Sequence, residues 1–183
     1  MQSSLLAQPQ LELTLQTDLE DILLASPSVR EIIQLPWSSW GECWLATLTE
    51  TLPAASGYEL TLLLTDNTHI QRLNAQFRHQ DSPTDVLAFA TLEVDLPRSP
   101  VTGGTMDEPE PLYLGDIVIS LERAAQQAHD RGHDFSLEVI WLFTHGLLHL
   151  LGWDHPDEAT LTAMLSQQSQ LLTLIGRHPP QFI

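Results

Sequence analysis

The segment EVIWLFTHGLLHLLG, residues 138–152, decides the fold of this chain. Apolar side chains occupy most of its positions, so a helix formed here has to be buried on all sides rather than along one face. Asp134 or Ser136 can begin this helix, and Gly152 can end it. The segment falls short of the roughly 18 apolar residues that a membrane-crossing helix needs. We therefore predict a core helix around which the remaining elements pack.

Outward from this helix, hydrophobic periodicity predicts four strands and four further helices. The strands are predicted at residues 11–17, 58–65, 86–94 and 112–120, and the helices at residues 37–51, 67–78, 121–132 and 158–175. Residues 26–36 contain Pro27 and Pro36, and we predict that they form a linker.

Strands 86–94 and 112–120 follow one another without a helix between them, so we expect them to pair antiparallel in a mixed sheet. The predicted fold class is α+β (mixed αβ), with a sheet of about four strands packed with about five helices. The length favours a single domain over residues 1–183. Residues 1–10 and 97–111 are expected to be flexible, the second stretch because it is dense in Pro, Gly and acidic residues.

The chain is strongly acidic, with 24 Asp and Glu against 7 basic residues, all of them Arg, and a formal net charge of -17. This balance argues against a protein that coats nucleic acid or an anionic membrane by bulk attraction. A single cysteine, Cys43, excludes an internal disulfide and a multi-cysteine metal site. The first residues lack the basic and long apolar regions of a secretory signal, so we expect a cytoplasmic location.

Three histidines cluster at the end of the core helix. His145 and His149 are four residues apart and therefore lie on one helix face. Gly152 can take a positive φ, which lets the chain turn and bring His155 back towards them. Three neutral imidazoles with an open fourth position form a catalytic type of metal site. The alternative, two core histidines and one surface histidine, buries imidazoles at a cost of about a few kcal/mol each if they lack partners.

The spacing of these histidines is similar to the H-E-x-x-H-x-x-G-x-x-H motif of metzincin proteases. Gly146 stands where those enzymes have the glutamate that acts as the general base. Because glycine cannot transfer a proton, the protease mechanism lacks an essential group here.

Three segments together resemble the YbeY family of bacterial metal-dependent endoribonucleases. They are HGLLHLLGWDH (145–155), LNAQFRHQDSPTDVLAFA (73–90) and LGDIVIS (114–120). The resemblance implies a mixed αβ fold and cleavage of single-stranded RNA, with roles in 3′-end maturation of small-subunit rRNA and in ribosome quality control. Ser82 replaces a frequent lysine of the family motif, and Ala88 and Ala90 replace its usual serine and proline.

The resemblance also implies roles for particular residues. His145, His149 and His155 would hold one Zn²⁺ ion, or another transition metal such as Ni²⁺, and Arg78 would assist catalysis or bind phosphate. Asp154 and Asp85 are weaker candidates for supporting the site, and a structural role is the simpler interpretation of both. The candidates for contacting RNA are Arg72, His79, Arg123 and Arg131. The remaining histidines are predicted to be surface residues: His69, His129, His133 and His178.

The expected partners are single-stranded RNA or rRNA and ribosomal small-subunit proteins or assembly factors, with no membrane and no DNA. Two other functions remain open. One is a non-catalytic ribosome-assembly factor in which the metal is structural. The other is a metallohydrolase of peptides or small esters, against which Gly146 counts. The acidity adds a constraint, because RNA binding would have to depend on the metal and a few local arginines.

Overall fold

The computed structural model describes residues 9–49, 52–91 and 110–179. Within these ranges the chain forms four strands and seven helices. The strands are β1 (Leu11–Asp18), β2 (Tyr58–Thr65), β3 (Val86–Ala90) and β4 (Leu112–Ser120). The helices are α1 (Asp21–Leu24), α2 (Pro27–Ile33), α3 (Trp37–Thr47), α4 (Asn67–Arg78), α5 (Leu121–Arg131), α6 (Phe135–Leu150) and α7 (Glu158–Leu174).

The strands form one mixed sheet in the order β1-β2-β4-β3. Strand β2 pairs in parallel with both β1 and β4, while β3 pairs antiparallel with β4 at one edge. This pairing confirms the antiparallel prediction for β3 and β4. The α+β class with a four-stranded mixed sheet is also confirmed.

The core helix is α6, which begins after Asp134 and has 11 of its 16 residues buried. It packs against β3 and β4 on one side and against α2, α5 and α7 on the others. On the opposite face of the sheet, α4 covers a second, smaller cluster of Ile70, Leu87 and Val118. His145 and His149 are only half-buried, because the C-terminal part of α6 borders an open cleft.

The linker predicted for residues 26–36 is wrong, since α2 occupies most of it. Pro27 lies at the first position of that helix, where its missing N–H costs nothing. Val29 and Ile32 are both buried and attach α2 to the core. The two prolines therefore mark the boundaries of a helix and not an extended connection.

Some predictions concern residues outside the described ranges. These are residues 1–8, residues 50 and 51 at the end of the predicted helix 37–51, residues 92–94 at the end of the predicted strand 86–94, and residues 97–109 of the predicted flexible loop. Strand β3 itself ends at Ala90.

The edge strand β3 approaches β4 closely at Gly115, which has a φ of 135°. A Cβ atom at this position would lie 2.0 Å from the carbonyl oxygen of Phe89. Only glycine allows this backbone conformation and this approach, and the approach aligns β3 beside the end of α6. In the described part of the chain, no helix combines the length and the apolar character needed to cross a membrane.

Candidate metal centre and its cleft

Three imidazoles converge at the C-terminal end of α6. The Nε2 atoms of His145 and His149, one helical turn apart, are 3.1 Å from each other. The helix ends at Leu150, and Gly152 takes a φ of 83° that turns the chain back. His155 then reaches the same point, so that one ring nitrogen of each histidine lies within 4.8 Å of the others. This arrangement can hold one metal ion.

Hydrogen bonds fix the orientation of two of these rings. The Nδ1–H of His149 donates to the carbonyl oxygen of Trp153 at 2.8 Å. Nδ1 of His145 faces Oε1 of Gln168 at 3.3 Å, and Nε2 of Gln168 donates to the carbonyl of Trp141 at 2.8 Å. Since a protonated Nδ1 leaves Nε2 with a free lone pair, both rings present an acceptor to the shared point.

The surroundings of His145 and His149 keep both of these imidazoles neutral. Burial, together with a smaller contribution from the charge of His149, lowers the pKa of His145 to about 4. Burial also lowers the pKa of His149, with smaller contributions in the same direction from the charges of His155 and Arg78. At neutral pH neither His145 nor His149 carries a proton that a metal would have to displace.

The three histidines line a cleft of about 460 Å³. Arg78, at the end of α4, and Asp85, before β3, lie on the same cleft together with Asp154. Small residues form part of its wall: Ala88, Ala90 and Gly146. The cleft therefore brings together two of the three segments that the sequence singled out, residues 73–90 and 145–155, and places a cation beside the histidines.

Asp85 is held in a dense set of hydrogen bonds. Its carboxylate accepts from the backbone N–H of Val86 at 2.9 Å, from Nε2 of Gln127 at 2.9 Å and from the hydroxyl of Thr84 at 3.1 Å. Burial raises the pKa of Asp85, but these hydrogen bonds together outweigh it and hold the pKa below its ordinary value. The carboxylate is thus an anion that joins β3 to α5.

Asp154 acts on the turn that carries His155. Its Oδ1 accepts from the backbone N–H of His155 at 2.8 Å. This bond is to the backbone and not to an imidazole ring, so it shapes the turn. The geometry agrees with the structural interpretation of this residue.

Of the arginines considered for RNA contact, Arg131 shares a groove with His145. It lines a second groove, of about 400 Å³, that shares Asp85, Val86 and His145 with the cleft. Its Nη1 donates to Oε1 of the fully buried Glu138 at 2.8 Å. His133 pairs with the same carboxylate and its side chain is largely buried, so the prediction of a surface position for His133 is wrong.

The other candidates lie elsewhere. Arg72 lines a separate groove on α4 together with Gln71 and Asp81. His79 ends α4 with a left-handed backbone conformation, at a φ of 58°. Arg123 lies on α5, with its backbone N–H donating to the hydroxyl of Ser120. Among the described residues, the lining of the two grooves beside the histidines includes none of these three.

Sequence reasoning did not find Gln168. It lies 23 residues from His145 along the chain, so no local spacing connects them. One signal was available, because Gln168 is a polar residue on the buried face of α7, among Met164, Leu171 and Leu172. A buried amide needs hydrogen-bond partners, and here one of them is a histidine of the cluster.

The comparisons with known proteins agree with this geometry. A family model described as Endoribonuclease YbeY matches residues 26–176. The Endoribonuclease YbeY of Synechocystis sp. (strain PCC 6803) is 61% identical over 171 residues, which is 93% of each chain. The protein of that name from Nostoc sp. (strain PCC 7120) is 56% identical over 140 residues, covering 76% of this chain and 73% of its own.

A solved structure supports the fold. The solution structure of TM1509 from Thermotoga maritima superposes with a TM-score of 0.53 and 20% sequence identity, covering 90% of each chain. At that identity the likeness concerns the fold alone. The family match and the two close relatives carry the assignment, and the chain therefore belongs to the endoribonuclease YbeY family.

Proposed function

We propose that this protein is a metal-dependent endoribonuclease that hydrolyses phosphodiester bonds in single-stranded RNA. The observation that carries the proposal is the convergence of His145, His149 and His155 in a cleft that also holds Arg78. Membership of the endoribonuclease YbeY family supports the same reaction.

The donor atoms fit a transition-metal ion. Three imidazole nitrogens form the donor set of catalytic zinc sites that keep a coordination position open, and imidazole also suits Ni²⁺. Both His145 and His149 have their Nδ1 atoms engaged by an acceptor, as metal-binding histidines do. We propose one Zn²⁺ per chain as the cofactor.

The residues of the chain divide the catalytic work. A bound zinc ion would supply Lewis acidity at a phosphoryl oxygen and at a water molecule. Arg78 donates its planar guanidinium N–H groups to the non-bridging oxygens and stabilises the charge that builds up there. The small side chains of Ala88 and Ala90 leave room for the phosphate. Asp85 is a poor general base, because its hydrogen bonds stabilise the anion and lower its pKa.

The biological role that we propose is 3′-end maturation of small-subunit rRNA and ribosome quality control in the cytoplasm. With a net charge of -17, the chain cannot attract RNA by its overall field. We therefore propose that ribosomal small-subunit proteins or assembly factors deliver the substrate to the cleft.

The experiment compares cleavage of a labelled single-stranded RNA with cleavage of the same sequence as a duplex. Wild type should cleave the single strand and not the duplex. His149→Ala should lose bound metal and at least about 100-fold in rate, because losing only a hydrogen-bond partner of a metal-bound histidine already costs about 10–100-fold. His129→Ala is the control, since that side chain is exposed on α5. It should match wild type.

Two outcomes would overturn the proposal. Cleavage by His149→Ala at the wild-type rate would mean that the metal is structural or that the nuclease is a contaminant. A wild-type protein that holds metal but cleaves no RNA would favour the non-catalytic assembly factor or, if it cleaves peptides or esters, the metallohydrolase.

A further inference from the structure

We propose that Gln168 is a positioning residue for the metal centre, which orients the ring of His145 so that Nε2 faces His149 and His155. The inference rests on the proposed metal site and adds a residue from α7 that is not one of its ligands.

Gln168 is held in a single orientation. Its side chain is fully buried, and its Nε2 donates to the carbonyl oxygen of Trp141 at 2.8 Å. Because the NH₂ group is used there, the amide must present its oxygen, Oε1, to Nδ1 of His145 at 3.3 Å. An amide that accepts at this atom selects the tautomer with a proton on Nδ1.

The amide spans one turn of α6. In an α-helix the carbonyl of Trp141 also accepts the backbone N–H of His145, four residues later. Gln168 therefore hydrogen-bonds to the backbone of this turn through its NH₂ group and to the imidazole of the same turn through its oxygen. The ring is tied to the helix that carries it.

Packing alone does not explain this residue. Met164, Leu171 and Leu172 fill the neighbouring positions on the buried face of α7. An apolar side chain at position 168 could be buried there without the cost of desolvating an amide. A buried amide avoids the penalty of unpaired polar atoms only where its oxygen and its NH₂ group both find hydrogen-bond partners. One partner here is the ring whose direction matters.

His149 provides an internal comparison. Its Nδ1 donates to the carbonyl of Trp153, which belongs to the same turn as the histidine cluster. The backbone of the turn therefore orients the ring of His149, whereas a side chain from another helix orients the ring of His145. A change at Gln168 should disturb His145 and leave His149 in place.

The test uses three variants of the full chain. Gln168→Met keeps the length of the side chain and removes both hydrogen bonds. Gln168→Glu keeps an acceptor for Nδ1 of His145 and, as the neutral acid in this buried position, also keeps a donor for the carbonyl of Trp141. Gln170→Met makes the same substitution as the first variant at an exposed position of the same helix, and serves as the matched control.

Zinc affinity, measured by competition with a chromophoric chelator, is the first readout. We expect Gln168→Met to bind zinc about 10–100-fold more weakly, the usual effect of losing an outer partner of a metal-bound histidine. Gln168→Glu should stay within a few-fold of wild type, and Gln170→Met should be unchanged. Thermal unfolding of the metal-free variants shows whether each one is folded.

The second readout is the ¹⁵N spectrum of the imidazoles in the metal-free protein. His145 should show a protonated Nδ1 in wild type and in Gln168→Glu, and a changed tautomer signal in Gln168→Met, with His149 unaltered. This readout needs neither zinc nor RNA. It therefore separates failure of the inference from failure of the proposed function, which would appear as a wild type that binds no zinc.

Three results would overturn the inference. One is a folded Gln168→Met that binds zinc as tightly as wild type. Another is a Gln168→Glu that loses as much affinity as Gln168→Met, since that would show that an acceptor at Nδ1 of His145 does not support zinc binding. The third is a wild-type His145 with its proton on Nε2, which decides the matter even if a variant does not fold.

Discussion

Gly146 of α6 lies against Ile117 of β4 so closely that a Cβ atom on Gly146 would be 2.8 Å from Cγ2 of Ile117. Carbon atoms that are not bonded do not approach to this distance without displacement. The residue next to His145 is thus the point at which the core helix lies on the sheet. The position that holds the general base in H-E-x-x-H proteases has no room for a side chain here.

Gly146→Ala should therefore destabilise the protein by about 1–3 kcal/mol, the usual cost of an overpacked core. A loss of stability would point to the contact with Ile117, because helix propensity alone favours alanine over glycine by about 1 kcal/mol. Urea denaturation of the metal-free protein measures the change. In an Ile117→Ala background the cost of Gly146→Ala should shrink, as contacting residues couple. Equal stability of Gly146→Ala and wild type would contradict the close approach.

Arg78→Ala should lower kcat for cleavage of single-stranded RNA by about 10²–10³, because one preorganised donor to the developing charge is worth that much. Zinc content should not change, since Arg78 is not one of the three residues whose ring nitrogens can hold the metal. Arg72→Ala is the matched control on the same helix, because Arg72 lines a different groove. Equal losses from the two substitutions would indicate a general effect of charge rather than a role in the cleft.

Asp85→Asn should show a stability difference from wild type that depends on pH. The folded-state pKa of Asp85 lies below the ordinary value of 3.8. The carboxylate therefore contributes stability that is present above about pH 4 and is lost as pH falls through the folded pKa. The gap between wild type and Asp85→Asn should be constant from about pH 5 to 7 and narrow below about pH 4. Thermal unfolding across this range checks it, and a gap that widens in acid would be inconsistent with a lowered pKa.

RNA binding should depend only weakly on salt. Among the described arginines, Arg78 lines the cleft and Arg131 lines the adjoining groove, so one or two phosphates can be neutralised. For single strands each neutralised phosphate contributes about -0.7 to the slope of log affinity against log salt. We expect a slope between about -0.7 and -1.4 with a short single-stranded RNA. A slope equivalent to many contacts would mean that RNA binds outside these grooves.

Much of the fold follows from local rules. The apolar segment around His145 predicts the central helix, and alternation predicts the strands. The same rules fail for α2, because proline is typical of loops but also starts helices, as Pro27 does here. A short helix has too few residues for its periodicity to outweigh two prolines, and only the burial of Val29 and Ile32 shows that it belongs to the core.

The candidate site divides in the same way. The meeting of His145, His149 and His155 depends on helical spacing and one glycine turn, which a sequence displays. Gln168 reaches the site only because α7 packs on α6, and no spacing encodes that contact. A positive charge in the sequence does not show which surface its side chain faces. Arg72 is a candidate for RNA contact by its charge, but it lines a different groove.

The central claim is that metal held by the three histidines is required for cleavage of RNA. Its most direct measurement is the rate of single-stranded RNA cleavage while zinc is returned stepwise to chelator-treated protein. We predict that the treated protein is inactive and that the rate rises linearly to a plateau at one zinc per chain, whereas His149→Ala stays inactive throughout. A treated protein that cleaves at the wild-type rate, with no bound metal detected, would contradict the claim.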